Sequence, residues 1–258
     1  MAQRVPLSEL TGNAFLDALP LASLDALRPY LEKRSNSSGD TIANLGLPVP
    51  EAVFPVESVV SIVTTMRDGS SIEVSLIGRD GFHGLSAALG DSLSPHDAMV
   101  QIPGSMWAMP GAALIQATRN DPALAERVLL YAQVSLITVA QFSGCNRLHP
   151  INERAARWLL MAHDRVASDV LMLTHEFLAV MLGVRRPGVS LAAATLDKAG
   201  FIEYRRGRIT VRDRAGLESA SCECYAIVAD QSDRLLGYDI RKSTKASEHA
   251  VHTDGKLR

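Results

Sequence analysis

The segment LTHEFLAVMLGVRRPGVSLAAATLDKAGFIEYRRGRITVRD, Leu173 to Asp213, decides how the rest of this 258-residue chain is read. Thr174 is a good helix N-cap, Glu176 sits in the first turn where the helix dipole favours a carboxylate, and Leu178, Met181 and Leu182 make one apolar face. Gly183 supplies the left-handed backbone that a tight turn needs. A second helix follows, with Val189, Ala193 and Leu196 at i, i+4 and i+7 as its inward face and Gly200 as its stop. Arg185, Arg186, Ser190, Asp197 and Lys198 are left facing outward. Two short β-runs, FIEY and RITV, are then joined by Arg205-Arg206-Gly207-Arg208. Helix, turn, helix and hairpin make a winged helix-turn-helix, with two arginines where a recognition helix meets base edges.

The charge distribution agrees. The whole chain carries a formal charge of only −2, yet Pro150 to Leu217 holds eleven Lys/Arg against seven Asp/Glu, and the remainder fifteen against twenty-one. A basic module on an acidic chain suits a polyanionic partner.

N-terminal to this module the texture changes twice. Residues 8–33 read helical, with Leu16, Leu19, Leu21, Leu24, Leu27 and Leu31 interrupted by Pro20. From Asp40 to Met109 the runs are short and β-rich. FPVESVVSIVTTM and SIEVSLIG flank a turn with Asp68-Gly69 at its tip, and AMVQIPGSMWAMP offers another strand pair around Pro103-Gly104. Such strands suggest an antiparallel roll or small barrel. Asp121 as N-cap and Pro122 at the first helical position then open a helix that runs to Leu148. Leu124, Val128, Tyr131, Ser135, Thr138, Phe142 and Cys145 follow a 4-3-4-3 step, and Leu130, Val134 and Ile137 form a second stripe. A helix with two stripes needs two partners, so one stripe is expected on the roll and the 4-3 stripe on a second copy of the chain.

The helix pair and wing resemble the DNA-binding domain of the cyclic-AMP receptor protein and FNR (Crp/Fnr) family of bacterial regulators. FPVESVVSIV, DGSSIEVSLIGRDGFHG and CNRLHPINERAARWLLMAHDRV resemble family segments in the family's order. The resemblance implies an α+β chain: a β-roll like the cyclic-nucleotide-binding jelly roll over 8–120, a dimerisation helix over 121–148, a winged helix-turn-helix over 150–217, and a C-terminal helix with a flexible tail over 218–258. It implies a homodimeric transcription regulator rather than an enzyme, with double-stranded operator DNA as partner, RNA polymerase as a further candidate partner, and no membrane. Thr174, Arg185, Arg186, Gly188, Val189, Ser190, Arg205, Arg206 and Arg208 are the residues expected at DNA.

Two departures bear on the effector. Cyclic-nucleotide-binding members use a Gly-Glu pair at the ribose and an arginine at the phosphate. The corresponding places here hold Gly84-Leu85 and His96-Asp97, which lack a ribose acceptor and a fixed positive charge. Members with an iron–sulfur cluster need four cysteines, mostly near the N-terminus, whereas no cysteine precedes Cys145. No cofactor is expected, and the effector is left unnamed.

Other features receive plainer readings. A cupin-like metal enzyme would need clustered ligands on the roll, and His83 and His96 stand thirteen apart with no His-x-His pair. A winged helix can instead bind protein, but the wing arginines Arg205, Arg206 and Arg208, read as unpaired, favour nucleic acid. MAQRVPLSEL has no signal-peptide pattern, VLLYAQVSLITVAQF is short for a membrane span and carries Gln133 and Gln141, and three cysteines without framework spacing suit a reducing cytoplasm. Trp158 is expected in the core and His149-Pro150 at a hinge. Cys145 is read as a small apolar packer. Cys222 and Cys224 are expected on different faces of one helix beyond Gly216, unsuited to a metal. The end RKSTKASEHAVHTDGKLR is too polar to pack.

Overall fold

The computed structural model describes residues 11–241, and the polar end beyond Arg241 lies outside the described residues. The chain opens with two short helices, α1 (Ala14–Asp17) and α2 (Leu21–Leu27), broken at Pro20. The sequence reading extends helix to residue 33; instead a 3₁₀ turn over Arg28–Tyr30 leads into β1 (Glu32–Asn36), because Pro29 cannot continue an α-helix. The roll follows: β2 (Thr41–Ala43), β3 (Glu51–Pro55), β4 (Val59–Thr65), β5 (Ser71–Ile77), the short helix α3 (Leu85–Ala88), β6 (Asp97–Ile102) and β7 (Gly104–Pro110).

Two antiparallel sheets face each other, ordered β1-β7-β3 and β2-β6-β4-β5. Val53, Val60, Ile62, Ile77, Val100, Met106 and Ala108 fill the space between them. The β4–β5 hairpin turns at Asp68-Gly69 as its sequence requires, with Thr65 opposite Ser71. The β6 and β7 runs do not pair with each other. Pro103 lacks an N–H for a hairpin ladder, and there the chain crosses from one sheet to the other, so Pro103-Gly104 is a corner rather than a hairpin tip.

Helix α4 (Gly111–Asn120) leads into the long α5 (Pro122–Leu148). Asp121 caps α5, its Oδ1 accepting from Ala123 N at 2.9 Å and Leu124 N at 3.3 Å, and Pro122 takes the first helical position. At 27 residues α5 has the length and apolar content of a membrane-crossing helix. It is nonetheless wrapped by protein along one side.

That side corrects the expected dimer face. Leu124, Val128, Tyr131, Thr138, Phe142 and Cys145 are buried within the single chain, and Ser135 is half-buried. The first three pack with Phe15, Phe82 and Leu236, while Phe142 joins the core of the C-terminal half. The 4-3 stripe therefore serves its own roll and C-terminal segment. The stripe left outside contains Leu129, Gln133, Leu136, Ala140, Ser143 and Arg147, all exposed.

Beyond Pro150 come α6 (Ile151–Arg165), β8 (Val170–Met172), α7 (His175–Leu182), α8 (Arg186–Lys198), β9 (Ile202–Arg205), β10 (Arg208–Val211), α9 (Arg214–Ser219) and α10 (Cys224–Leu236). The wing is a three-stranded antiparallel sheet, β8-β10-β9, one strand more than its two apolar runs announce. The single helix expected after Gly216 is two helices. Cys222 lies in the connection between them and Cys224 is the first residue of α10, so the premise that set the two thiols on different faces fails. Helix α10 also returns to α5, where Arg127 Nη2 donates to Leu236 O at 2.8 Å, and just beyond it Tyr238 Oη donates to Asp80 O of the roll at 2.7 Å.

Candidate nucleic-acid interface and effector pocket

The helix-turn-helix geometry follows its sequence signals closely. Thr174 Oγ1 accepts from Phe177 N at 3.2 Å, and Gly183 takes φ 61° as the left-handed cap of α7. A Cβ added at Gly183 would also lie 2.6 Å from Ile72 Cδ1, so the turn is pressed against strand β5. Val189, Ala193 and Leu196 are buried against α6, α7 and β9, as their spacing predicts.

Arg185 is the N-cap residue of α8 and Arg186 its first helical residue, with Pro187 beside them, and all three are exposed. The other expected contacts divide. Val189 is 0% exposed, so it is packing rather than readout. Gly188 faces α6, where an added Cβ would meet Ile151 Cδ1 at 3.0 Å. Ser190 Oγ shares a hydrogen bond of 3.0 Å with His175 Nδ1, and the His175 ring stacks on Tyr204 at 3.9 Å. That hydroxyl therefore ties α8 to α7. The outward face is instead continued by Leu191, 70% exposed, and by Ala194 and Thr195. The spacing signal was available: Pro187, Leu191 and Ala194 step by four and three, opposite the inward face.

In the wing, Arg205 and Arg208 pair across a two-residue turn made by Arg206 (φ 48°) and Gly207 (φ 78°). Both central residues of such a turn need positive φ, which Gly207 supplies freely and Arg206 adopts as an isolated left-handed residue. The sequence reading treats the wing arginines as unpaired. Glu203 corrects this for Arg205, Oε1 to Nε at 2.5 Å, and Glu203 also pairs with Arg212. Among the described residues Arg206 and Arg208 make no ion pair. The arginines lie with Met172 and Thr210 around one groove.

The domain is docked on the roll. Trp158 Nε1 donates to Glu73 Oε1 at 2.6 Å, Arg79 Nη2 donates to Asp164 O at 3.2 Å, and Arg165 pairs with Asp80. The cleft at the start of α8 is walled on its far side by Met66, Ser70, Ser71 and Ile72 of the β4–β5 hairpin. Arg185 and Arg186 thus face solvent beside their own roll.

A second cavity, about 470 Å³, opens between the roll and α5. Gly84, Leu85 and His96 line it together with His83, Tyr131 and Val139. Asp97, expected there, is not among the lining residues; its carboxylate accepts from Leu45 N at 2.9 Å and from Thr65 Oγ1 at 3.3 Å. Burial pushes the His83 imidazole down to about 4 and also lowers His96, so both rings are neutral at pH 7. No lysine or arginine lines the cavity. Among the described residues, the one group of ligand atoms close enough to share a metal lies outside the roll.

Residues 153–220 match the Crp-like helix-turn-helix domain. No curated protein matches the chain by sequence. Among solved structures, FixK2 from Bradyrhizobium japonicum is 18% identical with a TM-score of 0.64, covering 74% of this chain and 98% of that one. A transcriptional regulator of the crp/fnr family from Eubacterium rectale is 17% identical with a TM-score of 0.61, covering 78% and 94%. A CRP-family transcriptional regulator from Thermus thermophilus is 20% identical with a TM-score of 0.61, covering 73% and 96%. At these identities the likeness is one of fold.

Proposed function

We propose, from its Crp-like helix-turn-helix domain and Crp/Fnr fold, that this transcription regulator works in the cytoplasm as a homodimer on a two-fold-related operator. The observation that carries the reading is the shared exposure of Arg185 and Arg186 at the start of α8 and of Arg206 and Arg208 on the adjacent wing. The first pair reads sequence, since a guanidinium at the start of a recognition helix reaches O6 and N7 of guanine in the major groove. Pro187 has no acceptor for a cytosine amino group, and Leu191, one turn on, offers an apolar contact to a thymine methyl. The wing arginines grip phosphate, which positions the domain without reading bases.

Arg186→Ala is therefore expected to relax specificity at one base pair per half-site by about 1–3 kcal/mol with little change in salt slope. Arg206→Ala is expected to weaken all sequences alike and to reduce the slope by roughly one unit. Quantitative binding to a randomised operator library at several salt concentrations tests the division. Identical profiles for the two variants would refute it.

The cavity beside α5 is the effector pocket in this reading, and its occupant is not a cyclic nucleotide. Leu85 cannot accept a ribose hydroxyl hydrogen bond, and the neutral His83 and His96 offer no charge to a phosphate. Each mismatch costs about 1–3 kcal/mol. Titration calorimetry with cyclic AMP is expected to show no binding at micromolar concentrations; a micromolar dissociation constant overturns this assignment. Regulation works by population shift: a ligand between roll and α5 changes how the DNA-binding domain sits on the roll.

A further inference from the structure

Four side chains far apart in sequence meet where the long helix ends. Cys145 lies in the last turn of α5 and His149 is its C-cap residue, four positions on. Cys222 and Cys224 come from the connection into α10 and its first residue. Cys145 Sγ stands 3.5 Å from Cys222 Sγ, Cys224 Sγ stands 3.5 Å from His149 Nδ1, and all four atoms lie within 4.8 Å of one another. The three thiols are buried and His149 is half-buried.

A tetrahedral zinc ion, with bonds of about 2.3 Å to sulfur and 2.0–2.1 Å to nitrogen, sets its ligand atoms roughly 3.5–3.8 Å apart. The observed close contacts fall at the short edge of that spacing. A disulfide is a poorer account, because 3.5 Å is well beyond a bond of about 2.05 Å and the third thiol would be left over. A four-iron cluster inserts a cube of metal and sulfide between its ligands and would spread them further than they stand here.

The surroundings are those of a metal centre. Glu223 Oε2 lies 3.2 Å from His149 Nε2, the contact that holds the proton on Nε2 and leaves the Nδ1 lone pair for a metal. Gln141 Nε2 donates to Cys224 Sγ at 3.1 Å. Two buried guanidiniums on α6, Arg154 and Arg157, interact electrostatically with Cys145 and Cys222, and among the described residues neither makes an ion pair.

We infer that Cys145, His149, Cys222 and Cys224 form a mononuclear Cys₃His site for a thiolate-preferring divalent metal, zinc foremost. On binding, three thiol protons pass to solvent, three sulfur–metal bonds form, and His149 adds its Nδ1 lone pair. The centre then carries one net negative charge, which Arg154 and Arg157 offset. With four protein ligands and no open position the site is structural rather than catalytic. It clamps the end of α5 to the chain leaving the DNA-binding domain, across the His149-Pro150 hinge. This inference stands apart from the DNA-binding reading.

The test uses the full-length protein, reduced and freed of metal by chelator. Cobalt(II) is titrated first and then displaced with zinc(II). The expected result is one cobalt per chain with the intense absorption of a tetrahedral thiolate complex, loss of that spectrum on adding zinc, and protection of all three cysteines from a thiol reagent. Cys222→Ser and His149→Ala are each expected to weaken zinc binding by about 100-fold or more, and Glu223→Gln, which only orients the histidine, by about 10–100-fold. If Cys222→Ser fails to fold, thiol protection in the unaltered chain and the His149→Ala titration decide. Absence of stoichiometric binding by the reduced protein, a weak octahedral cobalt spectrum, or unchanged affinity in His149→Ala overturns the proposal. So does recovery of the protein with a Cys145–Cys222 disulfide that excludes metal.

Discussion

The double variant Leu129→Glu, Leu136→Glu is expected to be a folded monomer that binds a two-half-site operator about 10²–10⁴-fold more weakly than the unaltered protein. Both leucines stand on the outer side of α5, 61% and 74% exposed, seven residues apart. With Gln133, Ala140, Ser143 and Arg147 they continue the 4-3-4-3-4 step of a helix seam, and the small residues at 140 and 143 allow a second helix to approach closely. A two-fold contact between copies sets this stripe against itself, so each glutamate meets a glutamate of the other copy. Like charges in a seam that excludes water would open the proposed dimer. Because the side chains are exposed within one chain, the fold is untouched. The loss in operator binding follows from effective concentration: two linked recognition helices bind as one event, and separated ones do not. Light scattering reports the mass and a mobility-shift titration the affinity. A double variant that kept dimer mass would move the interface elsewhere. Val128→Glu and Phe142→Glu, which the bare 4-3 pattern recommends, would place charge in a filled core and unfold the chain, a different result in a melting experiment.

That contrast marks how far the sequence could be read. Local signals were sufficient wherever one short segment carries its own instruction. Asp121 and Pro122 set the start of α5, Thr174 and Gly183 bound α7, and Asp68-Gly69 turns the β4–β5 hairpin. The periodicity of α5 was equally plain, but it offered several stripes. Which of them faces home depends on α10, far along the chain, folding back over it. The metal-competent cluster has the same character. Cys145 and His149 at i, i+4 are half of a site, Cys222-x-Cys224 is the other half, and only the return of the chain joins them. On the helix-turn-helix, the exposure of Arg185 and Arg186 at the start of α8 was legible from position. The engagement of Ser190 by His175 was not, because His175 lies on another helix, whereas that of Arg205 by Glu203 was available in principle, since residues two apart on a strand share a face.

Glu73 was invisible for a related reason, and it yields the other large expected effect. In SIEVSLIG it reads as a polar residue on a half-exposed strand, yet Trp158 of α6 closes over it and leaves it 8% exposed. Its Oε2 lies 2.5 Å from Ser61 Oγ, which is itself 3.1 Å from Gln101 Oε1. Ser61 has one hydroxyl hydrogen and cannot donate to two acceptors. The network closes if Glu73 is protonated and donates to Ser61, which then donates to Gln101. Burial acts in the same direction and pushes the carboxyl up to about 7 from 4.5, although Ser61, Trp158, Arg157 and Arg165 all favour the ionised form. The sign follows. Between about pH 4.5 and 7 the unfolded chain has lost this proton while the folded chain keeps it, so the stability Glu73 contributes is present below pH 4.5 and falls as pH rises through 7. The loss is on the order of 3 kcal/mol. Glu73→Gln keeps an acceptor for Trp158 and a donor for Ser61 and cannot ionise. Urea unfolding followed by tryptophan fluorescence is therefore expected to find the variant close to the unaltered protein at about pH 5 and more stable by roughly 3 kcal/mol at about pH 8, since other titrating groups cancel in the difference. A difference independent of pH would show that Glu73 does not titrate in this range.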